Sequence, residues 1–350
     1  MARRFLPQCW MTLALSLAVC VREPSSSMAQ EPFYAGKVVT IAIGSAAGSI
    51  YDTYTRLFAQ FLPDFLPGHP TIVVEDMPGA NGDLSVRYMF GKAPRDGTFI
   101  ASGVSVMPTR PLMHPDIATY DVNQLSWLGS ITKDVYIAYV WRAATPVQSY
   151  EEAKQTSVVV GGIAIGAPTI DLAVVSNALF GTRFKIVSGY ESESAVELAL
   201  EKGELQGSFA GGYSGIRASH PDWFDDNKVK VILQHGLTRL PDLPDVPLFI
   251  DQAKTPEDRE ALQLLLAPQE AAKPFYAPPG LAADRLALLR TAFEQTVKSP
   301  RFLAAAAKAH IIVMDPMNGA ELSRDIAGVT ATPKAVVDRV KGILANYTSP

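Results

Sequence analysis

Apolar positions along the chain alternate between two spacings. KVVTIAIG (37–44) is apolar almost without a break, as a strand buried on both faces should be. DTYTRLFAQFL (52–62) instead sets Tyr54, Leu57, Phe58, Phe61 and Leu62 on one helical stripe. TIVVEDM (71–77) predicts a second strand, DLSVRYMFGKA (83–93) a helix, and GTFIASGV (97–104) a third strand. A β-α-β-α-β run of this kind predicts a parallel sheet covered by helices.

The middle of the chain repeats the theme. DVYIAYVW (134–141), SVVVGGIAI (157–165), RFKIVSGY (183–190), ELQGSFAGG (204–212) and KVKVILQHG (228–236) read as strands. TIDLAVVSNALFG (169–181) reads as a helix closed by a glycine, and SAVELALEKG (194–203) as a second helix. LPDLPDVP (240–247) interrupts regular structure. Beyond it the pattern is mainly helical. TPEDREALQLLLA opens with a Thr cap and a first-turn Pro, KPFYAPPG predicts a strand and turn, and ADRLALLRTAFEQTV and FLAAAAKAH predict helices. The pattern as a whole predicts an α/β chain of two lobes with a cleft between them. Each lobe is expected to hold a mostly parallel sheet.

The first 29 residues are of a different kind. A basic MARR precedes the apolar CWMTLALSLAVCV, too short to span a bilayer, and then a polar REPSSSMAQ with Ser27 and Ala29 at small-residue cleavage positions. This predicts a secretory signal cut after Ala29 and a periplasmic product. Cys9 and Cys20 both fall in that segment, and Val19 before Cys20 speaks against lipidation. The expected mature chain thus has no cysteine and no disulfide. Loss of three arginines and one glutamate with the signal takes the formal charge from −4 to −6. That leaves no electrostatic case for nucleic acid. No later stretch offers about 18 consecutive apolar residues, as a membrane span needs.

The usual catalytic signatures are missing. His69, His114, His220, His235 and His310 have no ligand-spaced neighbours. GYSGI ends in Ile216 where a nucleophile elbow needs glycine. The glycines of GSAAG are four apart, too far for a dinucleotide fingerprint. No metal or cofactor is expected. What recurs is a turn of small residues after an apolar strand. The first holds Ser45, Ala46, Ala47, Gly48, Ser49, Tyr51 and Asp52. The second holds Gly79, Ala80 and Asn81, the third Ser102, Gly103 and Ser105, the fourth Gly166, Ala167 and Thr169, and the fifth Gly212 and Tyr213. Gly and Ser after a strand ordinarily just make a turn. Five such turns in register across two lobes point further. In open α/β sheets, ligands bind at the carboxyl ends of the strands, where helix N-termini favour anions.

These same residues carry a resemblance. VVTIAIGSAAGSIYDTYTRLFAQFL, TIVVEDMPGANGD, KAPRDGT and LPDVPLF resemble the solute receptors of tripartite tricarboxylate transporters, the TctC or Bug receptors. Asp52 and Arg56 fit the first block of that pattern. Glu75, Pro78, Gly79, Ala80 and Gly82 fit the second, and Ala93, Pro94, Asp96, Gly97 and Thr98 the third. The resemblance implies a two-lobed periplasmic binding protein that closes on a small organic carboxylate, its first lobe built from both ends of the chain (30–133 plus 238–350) and its second from the middle (134–237). It also implies delivery to a two-component membrane permease, with the receptor acting as a monomer and not as an enzyme. The chain departs from the family where Ser49, Ile50 and Tyr51 replace glycines and a threonine. Tyr51 either reaches into the pocket or packs under the first helix. Tyr190 fits a family tyrosine, but Glu191 and Glu193 follow it. Acids at a helix start ordinarily serve as solvated caps. Facing the cleft, either would repel a second carboxylate, and a tricarboxylate ligand is not expected. Arg56 is read as a surface or inter-element ion pair and not as a ligand clamp, and Asp52 as the holder of its own loop or a cap of the helix. Two other readings stay open: an exported enzyme acting on an anionic molecule in the same cleft, and a receptor presenting its ligand to a signalling protein.

Overall fold

The computed structural model describes residues 1–2 and 31–347. Apart from its first two residues, the expected signal segment therefore lies outside the described residues. In chain order the strands are β1 (Val38–Ile43), β2 (Thr71–Asp76), β3 (Phe99–Ser102), β4 (Ser126–Ser130), β5 (Tyr136–Trp141), β6 (Val158–Gly161), β7 (Phe184–Val187), β8 (Gly207–Gly212), β9 (Val229–His235), β10 (Pro274–Ala277) and β11 (Met317–Asn318). They form two sheets, ordered β11-β4-β10-β3-β1-β2 and β7-β6-β8-β5-β9.

Both sheets are mixed. β1 pairs in parallel with β2 and β3, and β6 with β7 and β8, as the βαβ pattern predicts. β10 runs antiparallel to β3 and β4, and β5 antiparallel to β8 and β9. The chain passes from the first sheet to the second between β4 and β5, and returns between β9 and β10. β5 enters straight from the other sheet, with no crossover helix to impose parallel pairing. β4 and the two-residue β11 lack the apolar length that would have marked them in the sequence.

Helix Ile50–Phe61 shows why the local pattern is reliable. The Ser49 Oγ accepts from the Asp52 N–H at 3.2 Å and caps it. Its stripe buries Tyr54, Leu57, Phe58 and Leu62. There Phe58 meets Phe275 and Phe293, with ring centroids 4.7 and 5.2 Å apart. The second core gathers Phe184, Phe209 and Phe249 around helix Pro168–Phe180.

Two helices depart from the expected lobe division. Pro256–Glu270 and Lys334–Ala345 fall in the 238–350 segment assigned to the first lobe. Leu262 and Leu266 of the former nevertheless join the second core. Its Ala261 and Leu264 meet Val336, Val337 and Val340 of the latter. With apolar residues on two faces, Pro256–Glu270 is held between the second core and the C-terminal helix. The Tyr347 hydroxyl then reaches the Ile186 carbonyl at 3.4 Å. No helix among the described residues is long and apolar enough to cross a membrane.

Candidate functional site

The first turn is held by its own side chains. Gly48 has φ +76°, a conformation open to glycine at little cost. Its N–H donates to Asp52 Oδ2 at 2.8 Å. Asp52 also pairs with Arg56, which reaches Asp76 at the end of β2 at 3.0 Å. Asp52 thus frames the loop. Ser45 and Ser49 share a hydroxyl contact at 2.7 Å, while Ala46, Ala47 and Gly48 form an exposed tip.

Tyr51 reaches across to the third turn. Its hydroxyl donates to Ser105 Oγ at 3.0 Å and accepts the Ser105 N–H at 3.1 Å. Tyr51 packs against the core beside the third turn and holds both polar groups of Ser105. The Lys273 ammonium lies 4.8 Å from the Tyr51 ring centroid and 5.3 Å from that of Tyr54, in cation–π range.

Lys273 stands where the two crossing segments run side by side. The Ile131 N–H donates to its carbonyl, and the Asp134 N–H to that of Gln269. Its ammonium is 3.9 Å from Asp134 Oδ2. Asp134 also accepts the Val135 N–H at 3.0 Å and the Ser214 hydroxyl at 3.1 Å. Burial pushes the Asp134 carboxyl up, and Lys273 opposes the shift. Ser214 belongs to the fifth turn, so this group joins both sheets. Glu193, at the start of helix Glu193–Glu201, sits close to Asp134, Lys273 and the Gly212 N–H. Burial pushes its carboxyl up to about 7; Asp134 and Glu197 add to the shift. The residue is exposed, as a helix-start cap is expected to be, yet it lies near enough to Asp134 to feel its charge.

The remaining sequence candidates divide. Gly79, Ala80 and Asn81 form an exposed turn of positive φ, whose Ala80 carbonyl accepts from Arg110 at 3.4 Å. Arg110 is itself bound to the buried Asp83, which also takes the Tyr120 hydroxyl. Ser102 and Gly103 lie inside the sheet end. The Ser102 carbonyl accepts from Gly44, and the Gly103 N–H donates to Pro274. Thr169 braces its turn through the Ile163 N–H at 3.1 Å, with Ala167 behind it as the helix cap. The Tyr190 ring packs against Gly161 in the second lobe. Tyr213 turns to Asp242, 2.9 Å away. Gly166 lines a cavity of about 310 Å³ between the third and fourth turns. Lys273, Asp134, Ser214 and Arg110 were not singled out from sequence. Ser214 alone had a local signal, as the next residue of the AGGYSG turn. Among the described residues no group of acids, histidines or cysteines could hold a metal ion.

The same architecture occurs in solved structures. A TctC solute-binding protein from Polaromonas superposes with a TM-score of 0.66 over 90% of this chain and all of that one, at 16% identity. The chain has the fold of the TctC and Bug periplasmic binding proteins. The resemblance carried by the sequence motifs thus extends to three dimensions. MatC from Rhodopseudomonas palustris with bound malate shares this fold at TM-score 0.60 and 17% identity, over 88% of this chain and 99% of that one. A second R. palustris protein, with adipate, does so at 0.62 and 16%, over 88% and 97%. By sequence, a UPF0065 protein of Bordetella bronchiseptica is 27% identical over 110 residues, 31% of this chain and 32% of that protein. The match thus spans about a third of the relative's length. No family model matches the chain.

Proposed function

We propose that this chain is a periplasmic solute receptor of the TctC and Bug family, which takes up a small organic carboxylate between its lobes. In this reading it is exported by its N-terminal segment, acts as a monomer without catalysis, and hands its ligand to a two-component permease. The observation that carries the reading is the meeting of the first, third and fifth turns around Lys273 and Asp134, at the crossing between the sheets. Strand ends and helix starts from both sheets face one another there, the usual place for a ligand in open α/β folds. The malate and adipate of the two R. palustris proteins support a carboxylate. Lys273 is a buried cation at this crossing, and Asp134 and Glu193 stand near it, so a tricarboxylate is expected to meet more repulsion than attraction. Calorimetry of the purified protein with mono-, di- and tricarboxylates tests the reading. Binding of a mono- or dicarboxylate is expected, and tight citrate binding would refute the charge argument. Silence across the whole panel would refute the receptor itself.

A further inference from the structure

The cavity between the third and fourth turns has a chemistry that the turns themselves do not explain. At about 310 Å³ it reaches the size of small-molecule pockets. Its walls come from the segment after β3, from helices Pro168–Phe180 and Pro256–Glu270 and from the C-terminal helix: Val106, Met113, Leu172, Leu264, Leu265 and Leu344. The charged and titratable groups on it are few. Arg110 is neutralised by Asp83. Asp171 accepts the Gly166 N–H at 2.9 Å, and burial pushes its carboxyl up to about 6. Burial and the nearby Arg110 hold His114 below its ordinary range. Lys341 is half-buried on the rim, and among the described residues it has no ion-pair or hydrogen-bond partner.

We propose that this cavity receives the hydrocarbon body of an amphipathic monocarboxylate, whose carboxylate pairs with Lys341. The proposal rests on the receptor reading and narrows its ligand class. Apolar walls favour a hydrocarbon chain or ring by about 25 cal/mol per Å² removed from water. The Lys341 ammonium can pair with one carboxylate, most favourably below about pH 6, where Asp171 on the same cavity keeps its proton. A second carboxylate would have to lie in apolar surroundings or at the polar centre. At the centre Tyr51 already holds the Ser105 donors, and Asp134 and Glu193 repel it.

Calorimetry of the purified full-length protein with octanoate, adipate and malate tests the assignment. Octanoate should bind at least about tenfold more tightly than the two diacids, a difference of about 1.4 kcal/mol. Lys341→Glu lies on the rim and should keep the melting temperature while weakening octanoate by about tenfold or more. Leu265→Trp should fill the cavity and abolish octanoate binding. Adipate or malate binding without octanoate binding overturns this proposal and leaves the receptor reading intact. Octanoate binding unchanged in Lys341→Glu also overturns it. No binding of any of the three overturns both.

Discussion

Tyr51→Phe separates what the Tyr51 hydroxyl does for the fold from what it withholds from a ligand. The substitution keeps the ring and its contact with Lys273, 4.8 Å away, and removes one oxygen. That oxygen is both acceptor of the Ser105 N–H and donor to Ser105 Oγ. Ser105 is 5% exposed, so both of its groups are left nearly dry. An unsatisfied buried polar group costs about 1–3 kcal/mol. Tyr51 itself is half-exposed, so water can follow the lost oxygen, and a cost near the low end, about 1 kcal/mol, is expected. That is a fall of roughly 1–2 °C in melting temperature for a chain of 350 residues. Ligand binding should move the other way. The freed N–H can meet a carboxylate, and hydrogen bonds to charged groups contribute about 1.5–3 kcal/mol. Affinity for adipate or malate should therefore rise about tenfold or more, while octanoate is unaffected. Scanning calorimetry and titration of the two proteins side by side read both quantities. Unchanged melting together with unchanged diacid affinity would refute the claim that Tyr51 withholds the Ser105 donors from a ligand.

Three further outcomes follow. Ser49→Asp keeps a good helix cap, so the protein should fold normally. Its fixed negative charge at the first turn should abolish the ligand-induced thermal shift by adipate or malate, and an undiminished shift would remove this turn from the site. Asp83→Asn strips the charge from a pair whose side chains are 1% and 11% exposed. Breaking such a pair costs about 3–5 kcal/mol, to be read as a loss of denaturation midpoint. For Asp171, the folded carboxyl titrates at about 6 against an ordinary value of 3.8. The folded state holds its proton longer than the unfolded one, so this group subtracts stability as pH rises from about 4 to 6. Asp171→Asn should therefore be the more stable protein above pH 6, by up to about 3 kcal/mol, and should equal the parent near pH 4. Parallel melting curves across pH 4–8 check the sign.

Much of the fold was legible because its signals are local. Continuous apolar runs marked β1 and β6, and the stripe of Tyr54, Leu57 and Phe58 marked the first helix. The turn after β1 declared itself through Gly48 and Asp52, which interact four residues apart. The mixed pairing of β5 and β10 was not legible, since strand direction depends on where the chain comes from and not on its own residues. Nor was the placement of the C-terminal helix, whose apolar face fits either lobe by pattern alone.

The sequence by itself determined the alternation of strands and helices, the five small-residue turns and the family resemblance, all properties of residues within a few positions of one another. Only the tertiary structure decided which polar groups meet. Tyr51 takes the Ser105 donors from 54 residues away. Lys273 finds Asp134 and the Tyr51 ring because two crossing segments run together. Lys341 comes to rim a cavity whose walls outside its own C-terminal segment lie more than 70 residues earlier in the chain. A buried charge or donor takes whatever partner the packed chain brings within reach, and no periodicity in the sequence records that choice.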